Sequence, residues 1–278
     1  MKNLRIIDQA VQNKGQVIGL PTGFKQLDEK TSGLQPSDLI IVAARPGMGK
    51  TAFALNIAQQ SAVKAGASVL IFSLEMSQEQ LGQRLIAMQA RVESEKLKKG
   101  TLDLKDWDRI NFALNELNNT KIVIDDTPGI SIMEMRNKCR RLKAEQGLDL
   151  IVVDYLQLMT FDGRADSRQQ EISALSRHLK LLAREMNCPV IVLSQLSRAP
   201  ELRQDKRPML SDLRESGSIE QDADIVMFLY RDDYYNENTE KPGVCEINIA
   251  KHRSGPTDRI DLTWVARYTK FSDKAVTN

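Results

Sequence analysis

The chain has few aromatic residues, few cysteines and histidines, and almost no net charge. Aromatic residues make up 5% of its 278 residues, too few for a nucleic-acid surface built from many base-stacking rings. The 39 lysines and arginines against 37 acidic residues leave a net charge of +2. Any contact with DNA must therefore come from local clusters of basic residues.

Cysteine and histidine follow no pattern that is typical of a metal site. Cys139, Cys188 and Cys245 are far apart and form no CxxC pair, and the two histidines add no ligand spacing. This argues against a zinc site or a disulfide framework and favours a reducing compartment. No apolar run reaches membrane-spanning length and no signal peptide opens the chain. We therefore expect a cytoplasmic protein that makes no membrane contact, with enough hydrophobic residues (41%) for a full core.

Short apolar runs alternate with longer helical stretches from Leu39 onward. Most of these runs are continuous and rich in valine and isoleucine, which is typical of buried strands in a parallel sheet. The predicted strands are Leu39–Ala43, Val69–Ser73, Lys121–Ile124, Leu150–Val153, Val190–Leu193 and Ile225–Leu229. Two later runs, Val244–Ala250 and Arg259–Val265, flank a turn-rich stretch and predict an antiparallel hairpin. The sum is an α/β domain: a mainly parallel sheet flanked by helices, with a C-terminal β-hairpin.

The first residues have a separate pattern. Leu4, Ile7 and Val11 lie at helical spacing and predict a short amphipathic helix, which glycines from Gly15 onward interrupt. Such a short helix is marginally stable alone, so we expect it to dock on its own globule or on a neighbouring molecule. We assign residues 1–15 to this helix and residues 16–278 to the globular domain.

The first predicted strand leads into a glycine-containing loop and then a helical run from Ala52 to Ala65. The loop reads Ala44-Arg45-Pro46-Gly47-Met48-Gly49-Lys50-Thr51. A strand, a tight loop and a helix form the context of a phosphate-binding loop, whose backbone amides hold phosphate oxygens at a helix N-terminus. Lys50 would reach the β- and γ-phosphates, and the Thr51 hydroxyl would bind Mg²⁺. Ala44 departs from the usual pattern, which has glycine there.

Three polar residues follow strand ends, where the ligand crevice of a parallel sheet lies. Asp154 would hold Mg²⁺ directly or through water; the alternative is a strand-end aspartate that caps the next turn. Glu75 can lie near the γ-phosphate, or can be a surface glutamate that starts the next helix. Gln195 can sense the γ-phosphate, or can be an exposed strand-end amide. The residues alone leave the last two questions open.

These features occur together in the DnaB-type replicative helicases of superfamily four, and the chain resembles that family over almost its whole length. The segments that carry the resemblance are Leu20–Phe24, Ala43–Thr51, Phe72–Met76, Asp154–Leu158, Leu193–Arg198, Arg214–Asp224 and Phe228–Arg231. The resemblance implies a RecA-like P-loop NTPase fold and an ATP-dependent, 5′→3′ DNA helicase motor. The N-terminal helix is similar to the linker helix of full-length members.

The resemblance also implies roles for individual residues. Glu75 becomes the catalytic base, Asp154 the Walker B acid and Gln195 the phosphate sensor. Arg253 in the hairpin becomes an arginine finger that reaches the ATP of the next subunit, with Lys251 two residues earlier on the same side of the strand. Without the resemblance, these two cations are solvated charges at a turn that nothing within one chain requires.

Two polar stretches, residues 161–168 and 198–207, resemble the pore-lining loops of the family. Their basic side chains and free amides would grip single-strand phosphates without reading sequence, and a mobile charged loop is the alternative. The candidate DNA-binding residues are Lys206, Arg207, Arg214, Glu215 and Gly217.

The cofactors and partners follow from the same resemblance. They are ATP, Mg²⁺, single-stranded DNA, further copies of the chain in a hexameric ring, and a helicase loader. Two other functions fit the phosphate-binding loop: a RecA-like recombinase or filament ATPase, and an ATP-dependent assembly module that does not unwind DNA. The recombinase would not be expected to carry the Arg214–Asp224 motif.

Overall fold

The computed structural model describes residues 17–160, 167–216 and 219–274. The predicted N-terminal helix, residues 161–166 of the first candidate DNA loop, and Gly217 lie outside the described residues. The helices are α1 (Lys25–Thr31), α2 (Lys50–Ala65), α3 (Gln78–Ala90), α4 (Ser94–Lys99), α5 (Leu104–Asn118), α6 (Ile132–Gln146), α7 (Arg168–Met186) and α8 (Ile219–Asp222). The strands are β1 (Leu39–Ala44), β2 (Ser68–Ser73), β3 (Lys121–Asp125), β4 (Leu150–Asp154), β5 (Val190–Gln195), β6 (Ile225–Tyr230), β7 (Val244–His252), β8 (Asp258–Val265) and β9 (Lys270–Asp273).

The described strands form a single nine-stranded sheet with the order β3-β2-β4-β5-β1-β6-β7-β8-β9. The first six in sequence pair in parallel, and β7, β8 and β9 add to the β6 side in antiparallel fashion. All six predicted parallel strands are confirmed, with ends that differ by one or two residues. The hairpin is confirmed as well, but it continues the main sheet through β6, and β9 follows as a strand that the sequence did not predict.

The parallel part of the sheet is covered by helices on both faces, which explains its continuous apolar runs. Along β1, Ile40 and Val42 pack on the side of α2, whereas Leu39 and Ile41 pack on the side of α6 and α7. All six β1 side chains are buried, and each fully buried aliphatic chain contributes roughly 1.5–3 kcal/mol.

Helix ends are defined by local hydrogen bonds. Ser77 at the start of α3 and Ser131 at the start of α6 each form a capping box with the side chain of Gln80 or Glu134. These pairs satisfy amide groups that the first turn of a helix leaves without partners. The helices that follow β2 and β3 therefore start close behind the carboxyl ends of those strands. Among the described residues, no helix combines the length and the apolar character needed to cross a membrane.

Candidate active site

The loop between β1 and α2 requires glycine at two positions. Gly47 has φ 80° and Gly49 has φ 93°, in the left-handed region that side chains disfavour. A Cβ atom on Gly47 would lie 2.8 Å from the Tyr234 ring, and one on Gly49 would lie 2.9 Å from the Phe271 ring. The loop is therefore a tight curve against two aromatic rings, and it leads directly into the N-terminus of α2, an electropositive helix end.

A cavity of about 280 Å³ opens beside this loop. It is lined by Ala44, Arg45, Pro46, Gly47, Gly49, Lys50, Thr51, Ala52, Glu75, Arg84, Gln195, Trp264 and Thr269. The predicted base and sensor therefore share one space with most of the predicted phosphate-binding residues. Met48 differs: its side chain is buried in the core, and its backbone N–H points to the Arg45 carbonyl at 3.4 Å.

Thr51 and Asp154 meet at the inner end of the loop. The Thr51 hydroxyl donates to Asp154 Oδ2 at 2.7 Å. Asp154 is 2% exposed, and within the described residues its Oδ1 atom accepts no hydrogen bond, although Lys50 Nζ lies 3.9 Å away. A hydroxyl and a carboxylate are oxygen ligands of the kind that Mg²⁺ prefers. The pair fits the predicted metal position, with one carboxylate oxygen still available.

Two cations face this acid from different elements. Burial lowers the pKa of Lys50, and the charges of Asp154 and Glu75 oppose that shift. Burial likewise lowers the pKa of Arg84, again opposed by Asp154 and Glu75. Lys50 Nζ also lies 4.5 Å from the centroid of the Tyr155 ring. Cations that are partly removed from water are stabilised by anionic oxygens, so the cavity suits phosphate groups.

Three residues that line the cavity were not predicted. Arg84 comes from α3, and Trp264 and Thr269 come from the end of β8 and the turn after it. Arg231 packs over the Trp264 ring at 5.3 Å and donates to the Gly47 carbonyl at 3.4 Å. The antiparallel strands thus bring an aromatic side chain to the phosphate-binding loop, although it lies more than 200 residues away in sequence.

The segment after β5 is tied to the same loop. The Gln195 N–H donates to Gln157 Oε1 at 3.4 Å, and Gln157 Nε2 donates to the Gln195 carbonyl at 3.2 Å. Arg45 donates to Glu201 at 2.9 Å and to the Leu196 carbonyl at 2.8 Å. The nucleotide-facing loop and the second candidate DNA loop are therefore joined by direct hydrogen bonds.

The basic residues of that second loop have partners within the chain. Arg207 donates two hydrogen bonds, of 2.7 and 2.8 Å, to the buried carboxylate of Glu246, and these bonds lower the pKa of Glu246 to about 2. Lys206 lies over the Tyr235 ring at 4.7 Å. This geometry favours a structural role for Arg207. Of Arg214 and Glu215, the structure describes the backbone alone, within a 3₁₀ turn at Leu210–Ser216.

The hairpin cations lie at the opposite edge of the sheet from the cavity. Lys251 pairs with Val226 near the start of β6, and the Arg253 N–H donates to the Asp224 carbonyl at 2.9 Å. Asp224 in turn is level with Leu39, the first residue of β1. The phosphate-binding loop begins at the other end of that strand, five residues or ~17 Å away at about 3.3 Å per residue.

These two cations also have partners within the chain, so the expectation that they are only solvated charges was wrong. Arg253 donates to Asp224 Oδ1 at 3.1 Å and to the Gln221 carbonyl. Lys251 donates to the Ala223 carbonyl at 2.8 Å and to the Glu220 carbonyl. Both side chains thus lie on the same short segment, far from the cavity of their own chain.

Comparisons with known proteins place this arrangement in a family. The model of the DnaB-like helicase C-terminal domain matches residues 19–273. The replicative DNA helicase DnaC of Bacillus subtilis (strain 168) is 57% identical over 266 residues, which cover 95% of this chain and 59% of that protein. The replicative DNA helicase DnaB of Geobacillus stearothermophilus is 56% identical over the same shares of both chains.

Solved structures agree in fold. One solved structure, of an isolated ATPase domain, superposes with a TM-score of 0.94 at 41% identity, covering 99% of this chain and 98% of that chain. A DnaB-like replicative helicase studied with its interactions with primase gives 0.92 at 41% identity, covering 99% of this chain and 66% of that chain. The RadB recombinase gives 0.55 at 20% identity over 92% of this chain and all of that chain, a likeness of fold alone. The predicted RecA-like α/β fold is confirmed.

This chain spans about three fifths of the length of the curated relatives that it matches. The match is continuous, however, from the first described β-bridge at Leu20 to the end of β9. It includes the phosphate-binding loop, the strand-end acids and the hairpin. The chain therefore belongs to the family of DnaB-like helicase C-terminal domains.

Proposed function

We propose that this chain is the ATP-hydrolysing motor of a replicative DNA helicase. The observation that carries the proposal is the contact between Thr51 and Asp154 beside a glycine-built loop, with Glu75 and Gln195 in the same cavity. Family membership supports the nucleotide as ligand, and the names of the relatives support DNA unwinding as its use.

In this proposal the phosphates of ATP lie along residues 44–51, and Lys50 contacts the β- and γ-phosphates. Thr51 and Asp154 would hold Mg²⁺, which when bound offsets the negative charge of the phosphate oxygens. Glu75 takes the proton of the attacking water, and Gln195 contacts the γ-phosphate. Trp264, at the wall of the cavity, offers a flat apolar face against which the base can pack.

The site is completed by a neighbouring subunit. Arg253 and Lys251 lie at the far edge of their own sheet, so a second copy of the chain must present them to a given ATP. This supports the hexameric ring and a catalytic role for both cations in trans. The helix of residues 1–15 would dock on an adjacent subunit and hold the two halves of the site together.

Single-stranded DNA would be gripped through its phosphates by the segment around Arg214, Glu215 and Gly217. Replacing Arg214 with Ala should weaken binding about equally for all sequences and reduce the salt dependence, because one phosphate contact is lost. Titrations of homopolymer strands at several salt concentrations measure this. A strong base preference, or unchanged affinity, removes Arg214 from the phosphate contacts.

The decisive experiment compares duplexes that carry a 5′ or a 3′ single-stranded tail. We expect ATP-dependent strand displacement that requires the tail of 5′→3′ polarity and disappears in Lys50→Ala. Assembly that depends on ATP but gives no displacement on either duplex favours the assembly-module alternative. Strand pairing in place of displacement favours the recombinase alternative. Mass measurements with and without ATP establish the assembly in each case.

A further inference from the structure

Asp224 lies at the amino edge of the sheet, between α8 and β6, and is 7% exposed. Its Oδ2 atom accepts the backbone N–H of Leu39 at 2.7 Å and the ammonium group of Lys180. Its Oδ1 atom accepts Arg253 NH1 at 3.1 Å. One side of this carboxylate is therefore fixed to the central strand β1, and the other side holds the hairpin arginine.

The backbone around Asp224 holds the same two cations. Lys251 and Arg253 donate to carbonyl groups at the C-terminal end of α8. Carbonyl groups at a helix C-terminus lack partners in the helix and carry partial negative charge, so they attract cations. A carboxylate and a helix end together restrict both long side chains, which would otherwise sample many rotamers.

We propose that Asp224 is a positioning residue that holds Arg253, and with it Lys251, in the orientation needed to reach the ATP of a neighbouring subunit. This inference rests on the proposed function, in which the two cations act in trans. Leu39 supplies the rigid reference, since β1 is the central strand whose other end carries the phosphate-binding loop. One strand therefore fixes both the phosphate-binding loop of a subunit and the cations that it offers to its neighbour.

The segment that holds the cations also follows the candidate DNA loop directly. Ile219, the first residue of α8, is two residues after Gly217, and α8 packs against α7 through the buried Ile219. A displacement of α8 would move the carbonyls that hold Lys251 and Arg253. We therefore expect single-stranded DNA bound by one subunit to alter hydrolysis at the next subunit through Asp224.

The test is Asp224→Asn. The amide oxygen can still accept the Leu39 N–H, but the NH₂ group cannot accept from Arg253, so the guanidinium loses its anchor. A small misplacement of a catalytic group typically costs on the order of a hundredfold in rate. We expect DNA-stimulated kcat to fall by about ten- to a hundredfold, while the nucleotide affinity of each subunit's own loop is unchanged.

Mixed assemblies separate positioning from a general structural role. Subunits with Lys50→Ala serve only as donors of Arg253, and subunits with Arg253→Ala serve only as hosts of ATP. Adding Asp224→Asn to the donor should reduce the recovered hydrolysis at least tenfold, whereas adding it to the host should leave recovery unchanged. The matched control is Asp38→Asn on the donor, which removes a neighbouring carboxylate without a hydrogen bond to Arg253 among the described contacts.

Each outcome has one meaning. Loss on the donor side alone supports the proposal. Equal loss on both sides shows that Asp224 only stabilises the fold, and no loss on either side shows that Arg253 needs no anchor; both overturn the proposal. If unmodified donors restore no hydrolysis in assemblies shown to be mixed, action in trans itself fails, and Asp224 has nothing to position.

Discussion

The two edges of the sheet treat their cations in opposite ways. At the carboxyl edge, Lys50 and Arg84 face an open cavity, and Lys50 Nζ is 3.9 Å from the acid Asp154. At the amino edge, Arg253 and Lys251 are held by Asp224 and by helix-end carbonyls. The first arrangement leaves cationic charge for a ligand that enters, whereas the second holds cations in a defined direction at a surface. A chain built this way carries two different halves of a catalytic site.

The largest effect is expected at the amino edge. Arg253→Ala should reduce ATP turnover by roughly 10³–10⁵-fold, because an arginine finger stabilises the charge that develops on the transferred phosphoryl group. Nucleotide affinity should stay within about twofold, since the phosphate-binding loop is ~17 Å away in the same chain. Steady-state hydrolysis and equilibrium binding of a fluorescent nucleotide measure the two quantities.

Arg141→Ala is the matched control for Arg253→Ala. Arg141 is an exposed arginine of α6 whose partner, Glu145, lies 3.9 Å away on the same helix. Its replacement should leave turnover unchanged. A loss of nucleotide affinity in Arg253→Ala that matches its loss of turnover would place Arg253 in the site of its own chain and contradict the comparison of the two edges.

At the carboxyl edge, Glu75→Gln should lower turnover by roughly 10²–10⁴-fold, the usual contribution of a general base. The amide keeps the size and polarity of the side chain, so ATP should remain bound. Lys50→Ala should behave differently and weaken binding, because it removes a cation from the phosphates. Glu79→Gln, a neutralised exposed glutamate in the first turn of α3, is the control. Hydrolysis by Glu75→Gln at the parent rate would show that another group is the base.

The sequence predicted the carboxyl edge far better than the amino edge, for physical reasons. A phosphate-binding loop and strand-end acids are local features, and the parallel order of strands brings them together wherever such a sheet forms. Trp264 and Arg84 reach the same cavity only through pairing and packing between distant segments, which a local pattern does not encode. The partners of Arg253 are of the same kind, because Asp224 is 29 residues away in sequence.

The sequence also misjudged which basic residues are free. Arg207 stands in a polar, charged loop and was a candidate for DNA contact, but its guanidinium binds Glu246 in a neighbouring strand of the sheet. Burial of a carboxylate demands a charged partner, and only the fold reveals that this carboxylate lies within reach. The strand β9 was missed because its four residues are too short to give a periodic signal.

The pair of Arg207 and Lys206 tests this distinction. Arg207→Ala should lower the free energy of unfolding by roughly 2–3 kcal/mol, because it leaves Glu246 buried with weaker partners. Lys206→Ala should lower it by less than about 1 kcal/mol, the usual size of an exposed cation–π contact. Urea unfolding measures both. If Arg207→Ala is as stable as the parent and binds single-stranded DNA more weakly, its primary role is DNA contact.

The smallest effect concerns Asp38, which precedes β1 at the amino edge. Burial, and then the charge of Asp224, raise the pKa of Asp38 to about 6, while Lys180 and Arg253 oppose the shift. An unfolded chain releases this proton near pH 4, before the folded chain does. Its contribution to stability is therefore lost as pH rises from about 4 through 6. Above pH 6, Asp38→Asn should be more stable than the parent by roughly 1 kcal/mol, allowing for solvent screening of a partly exposed group. At pH 4.5 most of that advantage should disappear. Urea unfolding at both pH values, with the exposed Asp108→Asn as control, measures the difference. A gain from Asp38→Asn that is equal at both pH values would show that the ionised carboxylate is not penalised, and that the amino edge tolerates more negative charge than its cluster of acids indicates.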